Sequence, residues 1–545
     1  MKKLLLIFTF LISTLTAFSQ ISGTVTDSIS NEPVIGVLIL IQGESGKGTT
    51  TDINGKFELK GLDKPTYSLE FRYMGYHSQF IKTSSKDTLN IKLKEKTLDI
   101  GTVTVKAKAN KESTVDLVKQ QSNSAVVQDG VNAETFKKTP DTKVSDVFKR
   151  VSGASVQDNK FVVIRGLNDR YNFALINGSP LPSSESDRKA FSFDIFPSNM
   201  LDNLIVMKSG SPDMPGEFAG GVINISTSEP KDSKFQSIQY GLGFNAISTF
   251  QNFKTYQGSS TDFLGFGSNY RSLPESMPST LDFSTLSKSD KADLSKMINT
   301  SWSTKSRTAL PIGSLQYSVG RYIKFKKDNS LGITFAYSYQ SASTMNNSVR
   351  RDFEEQSAGV VQKMELKDSV FTQTILNSAM LNFAYQINDK NIIRFKNLYS
   401  INSEDKVNIR NGVREMDNDP RQWERSTNFW YTQNNLLTQQ LYGKHEIKKT
   451  KLNWNLGFSD VKRDIPNLRR LVYRKYSLLE DDTTQQWTAV IQQNGTIPTA
   501  AGNMFWSKSS EKIYSANYDW SIPVKFGKHC PNAVLCSQVI ALPLL

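Results

Sequence analysis

Few side chains in this 545-residue sequence are spaced for bond-making chemistry. The three histidines, His77, His445 and His529, lie far apart and share no metal-ligand spacing, and no Gly-x-Ser-x-Gly elbow presents a nucleophile. GESGKGTTTD, Gly43 to Asp52, invites a phosphate-loop reading. That loop needs four residues between its first glycine and Gly-Lys, whereas Gly43 and Gly46 are separated by two, and Gly48 stands where a hydroxyl would hold a metal. A turn between strands is the better account. No catalytic residue, metal ligand or cofactor is expected, and a secreted enzyme is set aside.

The remaining question is what so many non-catalytic residues build. The net charge of +14 is carried by scattered rather than clustered lysines, so a nucleic-acid partner is not expected. The 31 Phe and 19 Tyr suit a β-rich chain. Residues 1–19 read as a signal peptide: Lys2 and Lys3, an apolar run from Leu4, and a small-x-small site at Ala17-Phe18-Ser19 with no cysteine for a lipid anchor. No later apolar run reaches the ~18 residues of a spanning helix. Both cysteines, Cys530 and Cys536, come at the very end, so an exported chain of this length must be held by large cores or by a membrane.

Residues 20–97 show short strands with close turn signals, the pattern of a β-sandwich. SGTVTD, PVIGVLILIQG and GTTTDINGKFELKGL, with a turn at Asp52 to Gly55, resemble the carboxypeptidase-regulatory-like domain. Residues 98–112 form a linker in which Val103 and Val105 alternate with Thr102 and Thr104. Such a segment can be the sandwich's last strand, or it can add itself to another protein's sheet edge.

Residues 113–230 read as a small mixed α+β unit. Asp141 or Thr142 can cap a helix carrying Val144, Val147, Phe148 and Val151 on one face, with Gly153 as its stop. Strands follow at Phe161–Ile164 and Phe173–Ile176, then a hairpin crowded with glycine and proline from Asn199 to Ile225. The order VIRGL, LING, LIVMKSG, GEFAGGVINI resembles the plug domain of TonB-dependent outer-membrane receptors. Arg165, Gly166, Asn177, Gly178, Lys208, Gly220, Gly221 and Asn224 fall on its motifs, beside Asp169 and Arg170; SGSPDMP departs from the usual Gly-Pro after the lysine. The resemblance implies that Asp99, Ile100, Thr102, Val103 and Val105 form a TonB-binding box. It also implies a small-residue hairpin lying close to a barrel wall. Arg165, Asp169, Arg170, Lys208 and Glu217 are then expected to pair with polar lumen side chains, and Ser179 to Asp194 to face outward toward solute.

From 231 to 528 strict alternation takes over, as in Leu331, Ile333, Phe335, Tyr337 and Tyr339, or Leu381, Phe383, Tyr385 and Ile387. Strands of about ten residues, with short turns at 326–330, 388–391 and 448–451 and long polar loops at 341–370 and 404–428, suit a transmembrane barrel. The stretch 251–308 is expected to be too polar for core. The expected fold is mostly β: a sandwich, an α+β plug, and an incomplete antiparallel transmembrane β-barrel. The family implies import of a scarce solute, partnership with TonB and its inner-membrane energising complex, and contact with outer-membrane lipid. It implies placement in the outer membrane of a Gram-negative bacterium, with the sandwich and the box in the periplasm. Siderophore, peptide and glycan all remain open as solutes. A soluble secreted surface-binding or adhesion protein is the alternative.

Roughly eight strands are counted, against the ~22 of a plugged lumen, so this chain is expected not to transport. Residues 529–545 lack alternation and are expected to be a frame-shifted tail; a genuine tail with a Cys530–Cys536 disulfide is the other possibility. Translating the DNA beyond the Lys528 codon in all three frames should therefore return on the order of 400 further codons of alternating strands. Absence of such a frame would refute the expectation.

Overall fold

The computed structural model describes residues 19–94, 114–490, 502–522, 535–536 and 540–544, with breaks at 29, 44–46, 140, 142, 186, 213, 231–232, 299–300, 326–328, 358 and 416–419. The chain divides into two compact units, 1–109 and 110–545. In the first, β1 (Ser19–Asp27), β2 (Leu38–Ile41), β3 (Gly48–Thr50), β4 (Lys56–Leu62), β5 (Thr66–Arg72), β6 (Gln79–Ser84) and β7 (Thr88–Leu93) make two sheets, ordered β4-β1-β7 and β3-β2-β5-β6. Alternate residues Ile21, Val25, Ile39, Phe57, Leu69, Phe71, Ile91 and Leu93 fill the core between them. Asp52 turns the chain from one sheet into the other, its Oδ1 accepting from the N–H groups of Asn54 and Lys56 at 2.8 Å. The glycines at 43 and 48 flank a strand-to-strand turn, with Leu40 paired to Gly48, where a phosphate loop would lead into a helix.

In the second unit, a helix at Thr114–Ser122 precedes β8 (Gln128–Asn132), and a further helix follows at Ala133–Lys138, capped by Asn132. The helix expected near 144 is one turn, Val144–Val147, prolonged as a 3-10 turn to Arg150. Its four apolar positions are all buried, but the cap position is Lys143; Asp141 pairs instead with Arg150. Then come β9 (Ala154–Gln157), β10 (Phe161–Ile164), β11 (Asn172–Ile176), β12 (Ser179–Pro180), β13 (Leu201–Met207) and β14 (Gly221–Thr227). They give a β9-β10 hairpin and a sheet ordered β12-β11-β14-β13-β8, in which β11 and β14 run parallel. Phe148, Phe191, Phe193 and Phe196 pack edge-on or tilted in its core.

A large antiparallel sheet completes this unit. After β15 (Phe235–Gly243), the small pair β16 (Asn252–Thr255) and β17 (Lys305–Thr308) belongs to an insertion. Next are β18 (Ile312–Lys324), β19 (Ser330–Gln356), β20 (Gly359–Asn388), β21 (Asn391–Glu415), β22 (Gln422–Ile447), β23 (Thr450–Tyr476), the short β24 (Thr488–Ala489) and β25 (Asn503–Ser521). The short β26 (Leu535–Cys536) and β27 (Ile540–Leu544) line its last edge. The order is β15-β18-β19-β20-β21-β22-β23-β25, and the described strands do not close into a barrel.

The expected turns at 388–391 and 448–451 are present, but the expected loops at 341–370 and 404–428 are not loops. There β19–β20 and β21–β22 continue as paired strands almost to the hairpin tips. The apolar alternation is interrupted there by charged and polar residues on both faces, although Leu366, Val407 and Val413 remain buried. The ladder persists through backbone pairing and cross-strand ion pairs such as Arg410 with Asp368, at 2.7 and 2.8 Å, and Arg351 with Glu365 at 2.8 Å.

The insertion, 251–308, also departs from expectation. Phe253 and Tyr256 are buried with Phe371, Val407 and Phe429 of the sheet. Arg271, 2% exposed, anchors it. Its guanidinium grips Asp262 in bidentate fashion at 2.7 Å, donates to Asp405 of β21 at 3.2 Å and to the Tyr256 hydroxyl at 3.0 Å, and stacks 4.2 Å from the Tyr431 ring. The polar composition concealed a core because its charges neutralise one another there. Arg271→Met should release the insertion at a cost of about 3 kcal/mol, because two partly buried carboxylates lose their partner. Limited trypsinolysis should then cut at Lys288–Lys296 far faster than in the parent chain.

Candidate functional site

The site is the seat of the middle unit on the sheet. Neighbouring residues of a strand face opposite sides. Ala336, Met380, Asn382, Leu398, Ser400, Asn402, Leu436 and Gln440, all even-numbered on β19 to β22, meet the middle unit. Ala336, Met380 and Leu398 are directly paired across three strands, and Leu436 with Val461 across two more, so a thin apolar row crosses the seat.

Around that row the contacts are polar and aimed at main chain. Asn382 donates to the Ser228 carbonyl at 2.7 Å, Gln440 to Ile176 at 2.6 Å, Asn455 to Asn177 at 3.2 Å and Asn517 to Gly178 at 3.2 Å. Ser400 donates to Ile195. Carbonyls shielded from water need such partners, and each bond contributes about 1 kcal/mol net. The tip of the seat is the turn Asn177–Gly178, with φ of 47° and 80°. The Asn177 amide donates to Gln440 at 2.8 Å, and its oxygen accepts from Lys396 at 3.0 Å and from the Thr227 N–H at 2.9 Å. Asn224 holds the same turn from behind, accepting from the Gly178 N–H at 3.1 Å.

Ion pairs frame the seat. Lys160 meets Glu404 at 3.1 Å, Arg463 meets Glu185, and the Ser183 N–H donates to Glu511 at 2.6 Å. Burial opposes the Glu404 charge, yet Lys160 and Lys406 outweigh it and hold that carboxyl down to about 2. Because its folded pKa is depressed, this contact is fully present above the ordinary carboxylate range and fades only as pH falls toward 2. Glu229 lies 3.5 Å from Arg394 and 3.6 Å from Lys396, beside a cavity of about 280 Å³ also lined by Asn177, Gln440 and Tyr442.

The residues singled out in the sequence divide sharply. Asn177, Gly178 and Asn224 belong to the seat. The five charges do not reach the sheet. Buried Asp169 lies 3.4 Å from Arg188, Arg170 leans on Tyr171, and Lys208 donates to the Ser152 carbonyl at 2.6 Å beside Asp129. Glu217 pairs with Lys189, while Arg165 is exposed in a turn with Gly166, at φ of 54° and 75°. Asp169, Lys208 and Glu217 find their partners, Arg188, Asp129 and Lys189, within the middle unit rather than on the sheet.

Nor do Gly220 and Gly221 serve the wall. A Cβ on Gly220 would strike Asn172 at 2.2 Å, and one on Gly221 would meet Ile164 at 3.0 Å. The close approach is made by Gly457 of β23, where a Cβ would sit 2.5 Å from the Ser179 hydroxyl. The segment 179–194, expected to face outward, is mostly buried, with Phe191 and Phe193 in the core. Asp99, Ile100, Thr102, Val103 and Val105 lie outside the described residues. Lys160, Glu185, Asp194 and Glu229 were missed, as were the wall's amides; their signal was Asn, Gln and Ser at inward positions of alternating strands.

The middle unit is thus a globular α+β unit held through its carbonyls against one polar face of a long-stranded antiparallel sheet. Residues 21–105 match the CarboxypepD_reg-like domain and residues 119–223 the TonB-dependent Receptor Plug Domain. The match of the middle unit shows a similarity to the plug of TonB-dependent receptors over residues 119–223. No curated protein matches the chain.

Among solved structures it is similar to the ferric citrate transporter FecA, at 12% identity over 74% of this chain and 55% of that one, with a TM-score of 0.31. It is similar to BauA, the ferric preacinetobactin receptor of Acinetobacter baumannii, at 11% identity over 73% and 55%, with a TM-score of 0.28. A third is a ferric enterobactin receptor of Pseudomonas aeruginosa, PfeA, at 11% identity over 73% and 56%, with a TM-score of 0.31. The chain spans about half the length of these structures.

Gly457→Val should loosen the plug by about 1–3 kcal/mol through overpacking against Ser179. Gly216→Ala, which meets nothing within 4 Å, should leave it unchanged. Protease protection of the plug in the two variants checks this, and equal protection would refute the role given to Gly457.

Proposed function

We propose that this chain is the plug-bearing part of an outer-membrane receptor that takes a scarce solute from outside and passes it to the periplasm without altering a bond in it. The observation that carries this reading is the two-sided wall. One face seats the plug through releasable hydrogen bonds. Its opposite face exposes apolar residues at alternate positions, such as Leu381, Tyr385, Phe395 and Tyr399. The stretches 379–387 and 391–399 that carry them are each about nine residues long, enough for a tilted strand to cross a bilayer. In this reading the sandwich and the segment Asp99 to Val105 lie in the periplasm. That segment adds as an extended strand to TonB, and a pull on it is transmitted to the plug.

A seat of single hydrogen bonds suits such a mechanism, since each bond can be exchanged for water at small net cost. Transport itself belongs to a wall that surrounds the plug, one side of which is met here by β19 to β23 and β25. The solute is left unassigned. The iron complexes named for FecA, BauA and PfeA give a siderophore-type solute as the first to try.

Binding of the periplasmic domain of TonB to the full chain tests the reading. Val103→Pro removes a ladder donor and should weaken binding at least about tenfold, whereas Val103→Thr should not. No binding by the parent chain, or equal binding by the proline variant, would defeat it.

A further inference from the structure

The insertion does not lie over the plug. The residues it touches on β19 to β22 are odd-numbered: Tyr339 donates to the Phe263 carbonyl at 2.6 Å, and Asn377 to that of Leu264 at 3.2 Å. Gly265 rests on Ile375, Ile401 and Ser403, and Gln433 accepts from the N–H groups of Gly267 and Ser268 at 3.1 and 3.2 Å. Since the plug uses even-numbered positions on the same strands, the two lie on opposite faces of the sheet. Trp506 of β25 extends the line, donating to the Arg271 carbonyl at 3.0 Å. Residues 263–271 thus form a strap across the wall's outer face. The strap follows the register: Tyr339, Asn377 and Ile401 are directly paired across three strands, as are Ser403 and Gln433 across the next two.

This strap marks a boundary. Below it the odd-numbered residues are the exposed apolar ones, ending at Leu381 and Tyr399. Above it the same face is covered by the insertion, with Phe371, Val407 and Phe429 buried under it and Gln373 and Asp405 bound to its Arg307 and Arg271. On the strap itself Phe263, Phe266 and Tyr270 are exposed, at 60%, 44% and 41%. Aromatic side chains at the edge of an apolar band favour the membrane–water interface, where a ring has one apolar and one wet side.

We infer that the strap rests on the outer-leaflet lipid surface, its Phe263, Phe266 and Tyr270 rings supplying the aromatic rim that the strands lack at that level. This rests on the proposed membrane-spanning role of the sheet. The occupant is lipid rather than a protein because the three exposed rings lie on the same face of the sheet as exposed Leu381 and Tyr399. The strap's one charged side chain, Arg271, is buried and neutralised by Asp262 and Asp405.

The test uses the full chain with Cys530→Ser and Cys536→Ser, refolded into phosphatidylcholine vesicles. Single cysteines replacing Phe266, Phe395 or Lys291 carry an environment-sensitive dye. Nitroxide-bearing lipid should quench the dyes at 266 and 395 by about twofold or more, while the dye at 291 responds only to aqueous iodide. Quenching at 395 with iodide access at 266 would overturn the strap's role and leave the membrane-spanning sheet standing. Quenching at neither position would remove the sheet's role and the strap's together. Protection at 266 that grows with protein concentration, without lipid quenching, would overturn the inference in favour of self-association.

Discussion

The two-sidedness of the long strands governs the second unit. Adjacent residues on one strand serve different neighbours, so β21 can place Glu404 against the plug's Lys160 and Asp405 against the insertion's Arg271. One backbone ladder supports two unlike surfaces. A slip of one residue in register would bring the apolar face to the plug and the amides to the outer side. The register is held by backbone pairing that runs nearly unbroken along strands of 25 to 30 residues from β19 to β23.

The two faces are bonded in different ways. The plug seat has a narrow apolar row and many single hydrogen bonds to main-chain carbonyls. Apart from the ion pairs Lys160–Glu404 and Arg463–Glu185, these are single hydrogen bonds, each of small net value. The insertion is fastened by a buried bidentate ion pair stacked on tyrosine, in which Arg271 engages Asp262, Asp405, Tyr256 and Gly267 together. Breaking that group strands charges where water does not reach, so it is suited to permanence.

The family resemblance was legible because turns and strand alternation are local. The Asp52 turn, the Asn177–Gly178 turn and the alternating runs in β19, β20 and β23 all read directly. The hairpins at 341–370 and 404–428 did not, because their residues lack the apolar period that marks a strand with one buried face. The cap at Asp141 was misassigned because an aspartate before a helix can cap it or pair with a basic residue, and Arg150 took it. Lys208 and Asp169 were rightly marked as paired charges, but their partners came from their own unit. The choice between near and far partners depends on which side of the unit meets the wall.

By itself, the sequence determined the order of the modules, the plug motifs and the period-2 strands, since each follows from residue type and short-range spacing. Tertiary structure alone decided which glycine makes the close approach, which amides hold the plug and on which face the insertion lies. Those outcomes depend on pairs such as Gln440 with Ile176 and Arg271 with Asp405, residues more than 130 positions apart. Only the strand register brings them within hydrogen-bond distance, and no local pattern encodes that distance.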